Sequence, residues 1–263
     1  VAKVINVTDA YIFAPTMTKK IRVGAVSYLN TKPLIYGFQQ GEMQDQIELI
    51  LQYPSRLVQA LQKEEIDIAL LPVAALDEFP DAQIFSSYCI ASDDRVASVC
   101  LFSEVPVEEI QEVYLDYQSK TSVNLVRLLM KDYWKVRPMF IEAEEEYISH
   151  IKDKKAGVII GDRALEQLGR FPFVYDLAEA WKDHTQLPFV FATWVTTKEL
   201  SPAFIEQFNN ANALGLQALP EIIAGVAAST YDLNTYYTKN IQYQLSEERR
   251  NGMMMFRRLM QGM

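Results

Sequence analysis

The chain has 263 residues, 34 of them acidic and 25 basic, giving a formal net charge of −9 at neutral pH. Its 49% hydrophobic and 22% charged content is that of a globular protein with material for a sizeable core, which excludes a disordered or fibrous chain. The acidic balance argues against a nucleic-acid or anionic-membrane partner, because such surfaces gather Lys and Arg. Only two cysteines occur, Cys89 and Cys100, outside any C-x-x-C spacing, so a disulfide scaffold or zinc site is not expected and a reducing, cytoplasmic compartment fits. Two histidines, His150 and His184, leave little for metal or triad chemistry.

The first stretch, Val1 to Thr16, lacks a signal-peptide pattern: Asp9 interrupts its apolar run and no small-residue cleavage site follows. A start at Met17 leads directly into the strand IRVGAVS, so residues 1–16 are read as an extension outside the fold. No run approaches the ~18 apolar residues that span a bilayer. From there short apolar runs alternate with amphipathic segments, the rhythm of an α/β fold. Strands are expected at Ile21–Ser27, Ile47–Gln52, Asp67–Val73, Gln83–Ile90, Val96–Ser103, Glu112–Asp116, Met139–Glu142, Gly157–Gly161, Phe173–Tyr175 and Phe189–Thr196. Pro54 opens a helix over Ser55–Gln62, and Val126, Leu129, Met130 and Tyr133 mark one face of another over Thr121–Tyr133. Beyond Lys198 the pattern predicts helices only: Pro202–Leu216, Pro220–Ala228, Leu233–Lys239 and Glu247–Met260, with Ser201, Asp232 and Ser246 as N-caps.

The apolar strands Val96–Ser103 and Phe189–Thr196 bracket a middle block with its own βαβαβ rhythm. A chain that leaves one α/β lobe, builds a second and returns makes two lobes joined by a double crossover, with a ligand cleft between them. The expected division is lobe I over 17–97 and 193–263, and lobe II over 98–192.

Three strand-to-helix junctions carry the candidate site residues. In VSYLNTKPL, Ser27, Tyr28 and Asn30 stand at the C-terminal end of a strand, where open α/β sheets bind ligands; Asn30 as a simple N-cap fits the spacing equally well. In DYQSKTSVNL, Ser119, Lys120, Thr121 and Ser122 lead into a helix whose free N–H groups suit a carboxylate or phosphate, with capping by Ser119 or Thr121 and Lys120 in solvent the equal alternative. In IIGDR, Gly161 permits close backbone approach, and Asp162 reads as a cap rather than a catalyst. The apolar run LPFVFATW reads as core, with Phe189 or Phe191 able to face a ligand ring. His150, in the acidic helix EAEEEYISHIKDKK, and His184 are expected at the surface. Nucleotide and zinc-protease motifs are absent.

Taken in order, RVGAVSYLNTKPLIYGF, IDIALLPVAAL, IASDDRVASVCLFS, VYLDYQSKTSVNLVRLL, VIIGDRAL and DLAEAW followed by TQLPFVFATW resemble the chorismate dehydratases of the futalosine route to menaquinone. The resemblance spans Arg22 to Trp194, and it implies a type-2 periplasmic-binding-protein-like fold: α/β, two-lobed, with a double crossover and C-terminal helices. It also implies a lyase that converts chorismate to 3-[(1-carboxyvinyl)oxy]benzoate and water with no cofactor and no metal. By position, the family's catalytic pair falls on Asn30 and Ser98, and its Ser-Arg-Thr-Ser anion turn on Ser119, Lys120, Thr121 and Ser122. Lysine for arginine replaces a bidentate guanidinium with a point charge. Asp94 and Gln186 stand where the family has glycine. On this reading Asn30 and Ser98 orient the substrate and stabilise developing charge, while the substrate's enolpyruvyl carboxylate is the candidate proton acceptor. Lys120 and Arg95 are the candidate cations for the dianion, with Lys32 behind them. Two other readings share the fold: a solute-binding protein for a small carboxylate, and the sibling cyclase acting on dehypoxanthine futalosine, which calls for a histidine base in the cleft.

Overall fold

A computed structural model describes residues 20–227 and 229–263; the expected extension over residues 1–16 lies outside them. The chain opens with β1 (Ile21–Val26), α1 (Lys32–Gln40), β2 (Ile47–Gln52), α2 (Pro54–Gln62), β3 (Ile68–Pro72) and β4 (Gln83–Ser92). It then crosses to β5 (Val99–Ser103), β6 (Glu112–Leu115), α3 (Lys120–Asp132), β7 (Met139–Glu142), β8 (Lys155–Ile160), α4 (Asp162–Gln167), β9 (Phe173–Asp176) and α5 (Leu177–Thr185). It returns through β10 (Phe189–Thr196) to α6 (Pro202–Gln217), α7 (Leu219–Ala224), α8 (Leu233–Thr235), β11 (Gln242–Gln244) and α9 (Glu247–Met260).

Two sheets result. The first has the order β11-β4-β10-β3-β1-β2 and the second β7-β6-β8-β5-β9. In the first, β1 runs parallel to β2 and β3, whereas β10 is antiparallel to both β3 and β4. In the second, β6 is parallel to β7 and β8, whereas β5 is antiparallel to β8 and β9. The strands that follow each crossover, β5 and β10, therefore run against their neighbours, as a chain entering a sheet from the far lobe must. Every residue of β3, β5 and β10 is buried, which explains their predominantly apolar sequences.

On the return path, Phe189–Thr196 pairs with β3 and β4 of the first sheet, with a register shift at Phe191. On the outward path, β5 begins at Val99, and residues 93–98 form the link. Ala97 in that link adopts a left-handed backbone (φ 62°), unusual for a residue with a Cβ. Asp176 holds it there: its Oδ2 accepts the Ala97 N–H at 2.6 Å, while its Oδ1 caps α5 by accepting from Ala178 and Glu179. Burial raises this carboxyl to about 6, with the backbone N–H groups pulling the other way. A raised acid stabilises the fold fully below its unfolded value of 3.8 and loses that contribution as pH rises through about 6. The stability advantage of the wild-type chain over Asp176→Asn is accordingly larger at pH 5 than at pH 7.5, as urea unfolding at the two values would measure.

The C-terminal region departs from the all-helical expectation. Leu233–Thr235 is one α-turn that widens into a π-helix at Tyr236–Asn240, and Gln242–Gln244 then adds an edge strand to β4. The caps at Ser201, Asp232 and Ser246 accept backbone N–H groups as the sequence predicts. His150 ends a single 3-10 turn at Tyr147–His150 rather than lying in a helix, and both histidines are exposed. Cys89 and Cys100 are buried free thiols.

Candidate active site between the lobes

A cleft of about 540 Å³, part of it open to solvent, lies where the lobes meet. Its polar lining is Tyr28, Asn30, Ser98, Ser119 and Ser122, with Gly161 contributing backbone. Each comes from a segment that the topology brings to the interface. Asn30 sits in the 3-10 turn Leu29–Thr31 between β1 and α1, and its side chain caps neither helix. Ser98 is the last residue of the outward link and is wholly buried. Ser119 is the N-cap of α3: its Oγ accepts the Ser122 N–H at 3.1 Å and lies 3.0 Å from the Ser122 Oγ. The remaining wall is apolar, including Pro54, Pro72, Ile90, Val96 and Phe191. None of the lining residues carries a charge.

Contacts across the cleft draw the lobes together. The Tyr28 hydroxyl donates to Gln118 Oε1, and the Leu29 N–H donates to Asp162 Oδ1 at 3.0 Å. The Ala74 N–H reaches Thr121 Oγ1 at 3.2 Å, and the Thr121 hydroxyl donates to the Phe191 carbonyl at 3.4 Å. Gly161 has φ 64°, and a Cβ there would stand 3.3 Å from the Tyr28 ring, so glycine serves both the backbone and the fit. Burial pushes the Tyr28 hydroxyl far up, as does the Asp116 charge, and Arg163 opposes them; Tyr28 is a neutral donor at physiological pH. Behind it, Arg163 donates to Asp116 Oδ2 at 2.7 Å and to Gln118 Oε1 at 3.0 Å, and Tyr147 donates to Asp116 Oδ2 at 2.8 Å. This network fixes the segment 116–118 that leads to Ser119.

Of the residues expected from the sequence, Tyr28, Asn30, Ser98, Ser119, Ser122 and Gly161 line the one cleft. Thr121 lies beneath its wall, bridging the lobes. Asp162 does not cap α4 with its side chain; it reaches across to Leu29, and burial raises its carboxyl. Ser27 is exposed and faces an outer groove shared with Lys32. Phe189 is buried among Trp181, Phe191 and Phe256, and Phe191 takes the lining position. Lys120 turns outward and pairs with Glu78 at 2.8 Å, half exposed, and Arg95 is likewise half exposed, 3.9 Å from Asp176. Residues 119 and 122 share a helix face that residue 120 does not, which is why the serines enter the cleft and the lysine leaves it. Lys120→Ala is therefore expected to change the KM for an anionic substrate by less than about threefold, the scale of an exposed ion pair, as steady-state kinetics would record. Among the described residues, no group of three or more His, Cys, Asp or Glu side chains could hold a metal ion, and no helix is long and apolar enough to cross a membrane.

Two sheets, two crossovers and a cleft at the junction define a periplasmic-binding-protein-like protein. The same architecture is found in a crystal structure from Archaeoglobus fulgidus (TM-score 0.68, 14% identity, 92% of this chain and 97% of that one). A Candida albicans gene product described as having the generic periplasmic binding protein fold is also similar (TM-score 0.61, 14% identity, 94% and 91% covered). Within that fold, a family model described as menaquinone biosynthesis matches residues 21–261, and the chain belongs to that family. The chorismate dehydratase of Thermus thermophilus is 26% identical over 257 residues, covering 89% of this chain and 93% of the relative.

Proposed function

We propose that the chain is a chorismate dehydratase, a lyase that converts chorismate to 3-[(1-carboxyvinyl)oxy]benzoate and water. The observation that carries this reading is a cleft between the lobes lined by an amide, a phenol and three serine hydroxyls, with neither histidine among its lining residues. Chemistry in such a site must draw its driving force and its base from the substrate. Loss of the ring C3 proton and the C4 hydroxyl as one water makes the ring aromatic, so the protein's task is to hold a reactive geometry.

Ser119, Ser122 and the free N–H groups at the start of α3 suit one carboxylate of the dianion. Asn30 and Ser98 donate hydrogen bonds to the ring substituents and to the departing hydroxyl as charge develops there. The enolpyruvyl carboxylate, held over the ring, accepts the C3 proton. The apolar wall excludes water and strengthens these neutral contacts. The family match and the Thermus thermophilus relative support the substrate class. The cyclase reading lacks its histidine base in this cleft.

Incubation of the purified chain with chorismate tests the proposal. The expected result is catalytic appearance of the benzoate absorbance. Tight binding with no spectral change at any enzyme concentration would instead mark a solute-binding protein.

A further inference from the structure

Behind the cleft, three tyrosines from the C-terminal π-helix and β11 converge on the two segments that carry Asn30 and Ser98. Tyr236 donates to the Ser98 Oγ at 2.9 Å. Tyr237 donates to the Leu29 carbonyl at 3.0 Å, and Tyr243 to the Asn30 carbonyl at 3.0 Å. Asn240 closes the set, donating from Nδ2 to the Arg95 carbonyl at 2.9 Å while its Oδ1 accepts from Tyr231 at 3.0 Å. The π-turn is what lets successive residues Tyr236 and Tyr237 both point inward, one to each segment; wider turns of this kind recur at functional sites.

Tyr236 is wholly buried and does not line the cleft. Burial pushes its hydroxyl far up, so it is neutral and keeps its proton at every working pH. A hydroxyl has one proton to give. With the Tyr236 proton directed at the Ser98 Oγ, one of the serine's two acceptor lone pairs is filled from behind, and its own proton is left to give toward the cleft.

We propose that Tyr236 is the positioning residue for Ser98, fixing the serine as a hydrogen-bond donor into the cleft rather than an acceptor or base. The inference rests on the dehydratase reading for its kinetic consequence, but not for its structural one.

The test is a double-mutant cycle on Tyr236→Phe and Ser98→Ala, joined to a crystal structure of Tyr236→Phe. With chorismate turnover as the readout, Tyr236→Phe is expected to lower kcat about tenfold, the worth of one neutral hydrogen bond, with KM within a factor of about two. In the Ser98→Ala background the same change should have no further effect on kcat, because its only route to the chemistry has been removed. An equal loss in both backgrounds, or a loss confined to KM, would overturn the proposal. The crystal structure is independent of the substrate: Ser98 Oγ is expected to leave its single rotamer once the phenol is gone. An unchanged, single Ser98 rotamer would overturn the positioning role. Absence of turnover in the wild-type chain would refute the dehydratase reading, leaving the Ser98 rotamer to decide the positioning claim.

Discussion

Ser98→Ala is expected to lower kcat for chorismate by roughly 10²–10³-fold with little change in KM, the loss that follows removal of one preorganised donor to developing charge. Ser98 is wholly buried at the end of the outward link, so its hydroxyl costs no reorganisation when the C4 oxygen begins to leave. Alanine preserves the backbone N–H and carbonyl, including the carbonyl that accepts the Gly161 N–H at 2.7 Å, so the link keeps its path. Asn30→Asp should fail differently. It puts a negative charge into a cleft lined by none, facing a dianion, and both binding and turnover should fall. Steady-state kinetics at saturating chorismate separates the two patterns. Near wild-type kcat in both variants would remove them from the chemistry.

The second large effect concerns stability. Gly215 of α6 lies against α1, and a Cβ there would stand 1.7 Å from the Pro33 carbonyl oxygen. The obstacle is backbone, so no side chain can swing aside. Gly37 of α1 faces α6 in the same way, 2.1 Å from the Ala211 carbonyl oxygen. Gly215→Ala must therefore force the helices apart, costing about 3 kcal/mol, at the upper end of overpacking changes. For a chain of this size that is a fall in Tm of roughly 6–12 °C, which calorimetry would register. Because α1 follows directly from the Asn30 turn, turnover should fall with it. An unshifted Tm would show that the helices are free to separate.

Much of the site was legible because its residues lie at strand-to-helix junctions, where periodicity changes and capping residues stand out. SYLN, QSKTS and IIGD are such junctions, and Asn30, Ser119, Ser122 and Gly161 all line the cleft. The differences have local causes. Lys120 sits inside the serine turn, where a site cation and a solvent lysine fit the spacing equally, and helical geometry sends it outward to Glu78. Phe189 and Phe191 stand two apart on β10, but the register shift at Phe191 breaks the alternation, and only Phe191 lies at the cleft while Phe189 packs against Trp181 and Phe256. Tyr236 and β11 left no signal. A π-turn mimics an α-helix in hydrophobic spacing, and three residues of QYQ are too short to alternate. The contacts that tie this segment to Asn30 and Ser98 span more than 130 residues of chain, which no local pattern encodes.

The proposed chemistry is removal of water from chorismate by a neutral cleft that supplies hydrogen bonds but no acid or base of its own. Its most direct test is a single turnover, with wild-type enzyme in excess over chorismate, quenched in time and weighed by mass spectrometry. Chorismate is expected to be replaced by one species lighter by a single water, with an aromatic proton spectrum, and Ser98→Ala to slow this conversion without changing the product. Chorismate recovered intact after prolonged incubation with excess wild-type protein would contradict it.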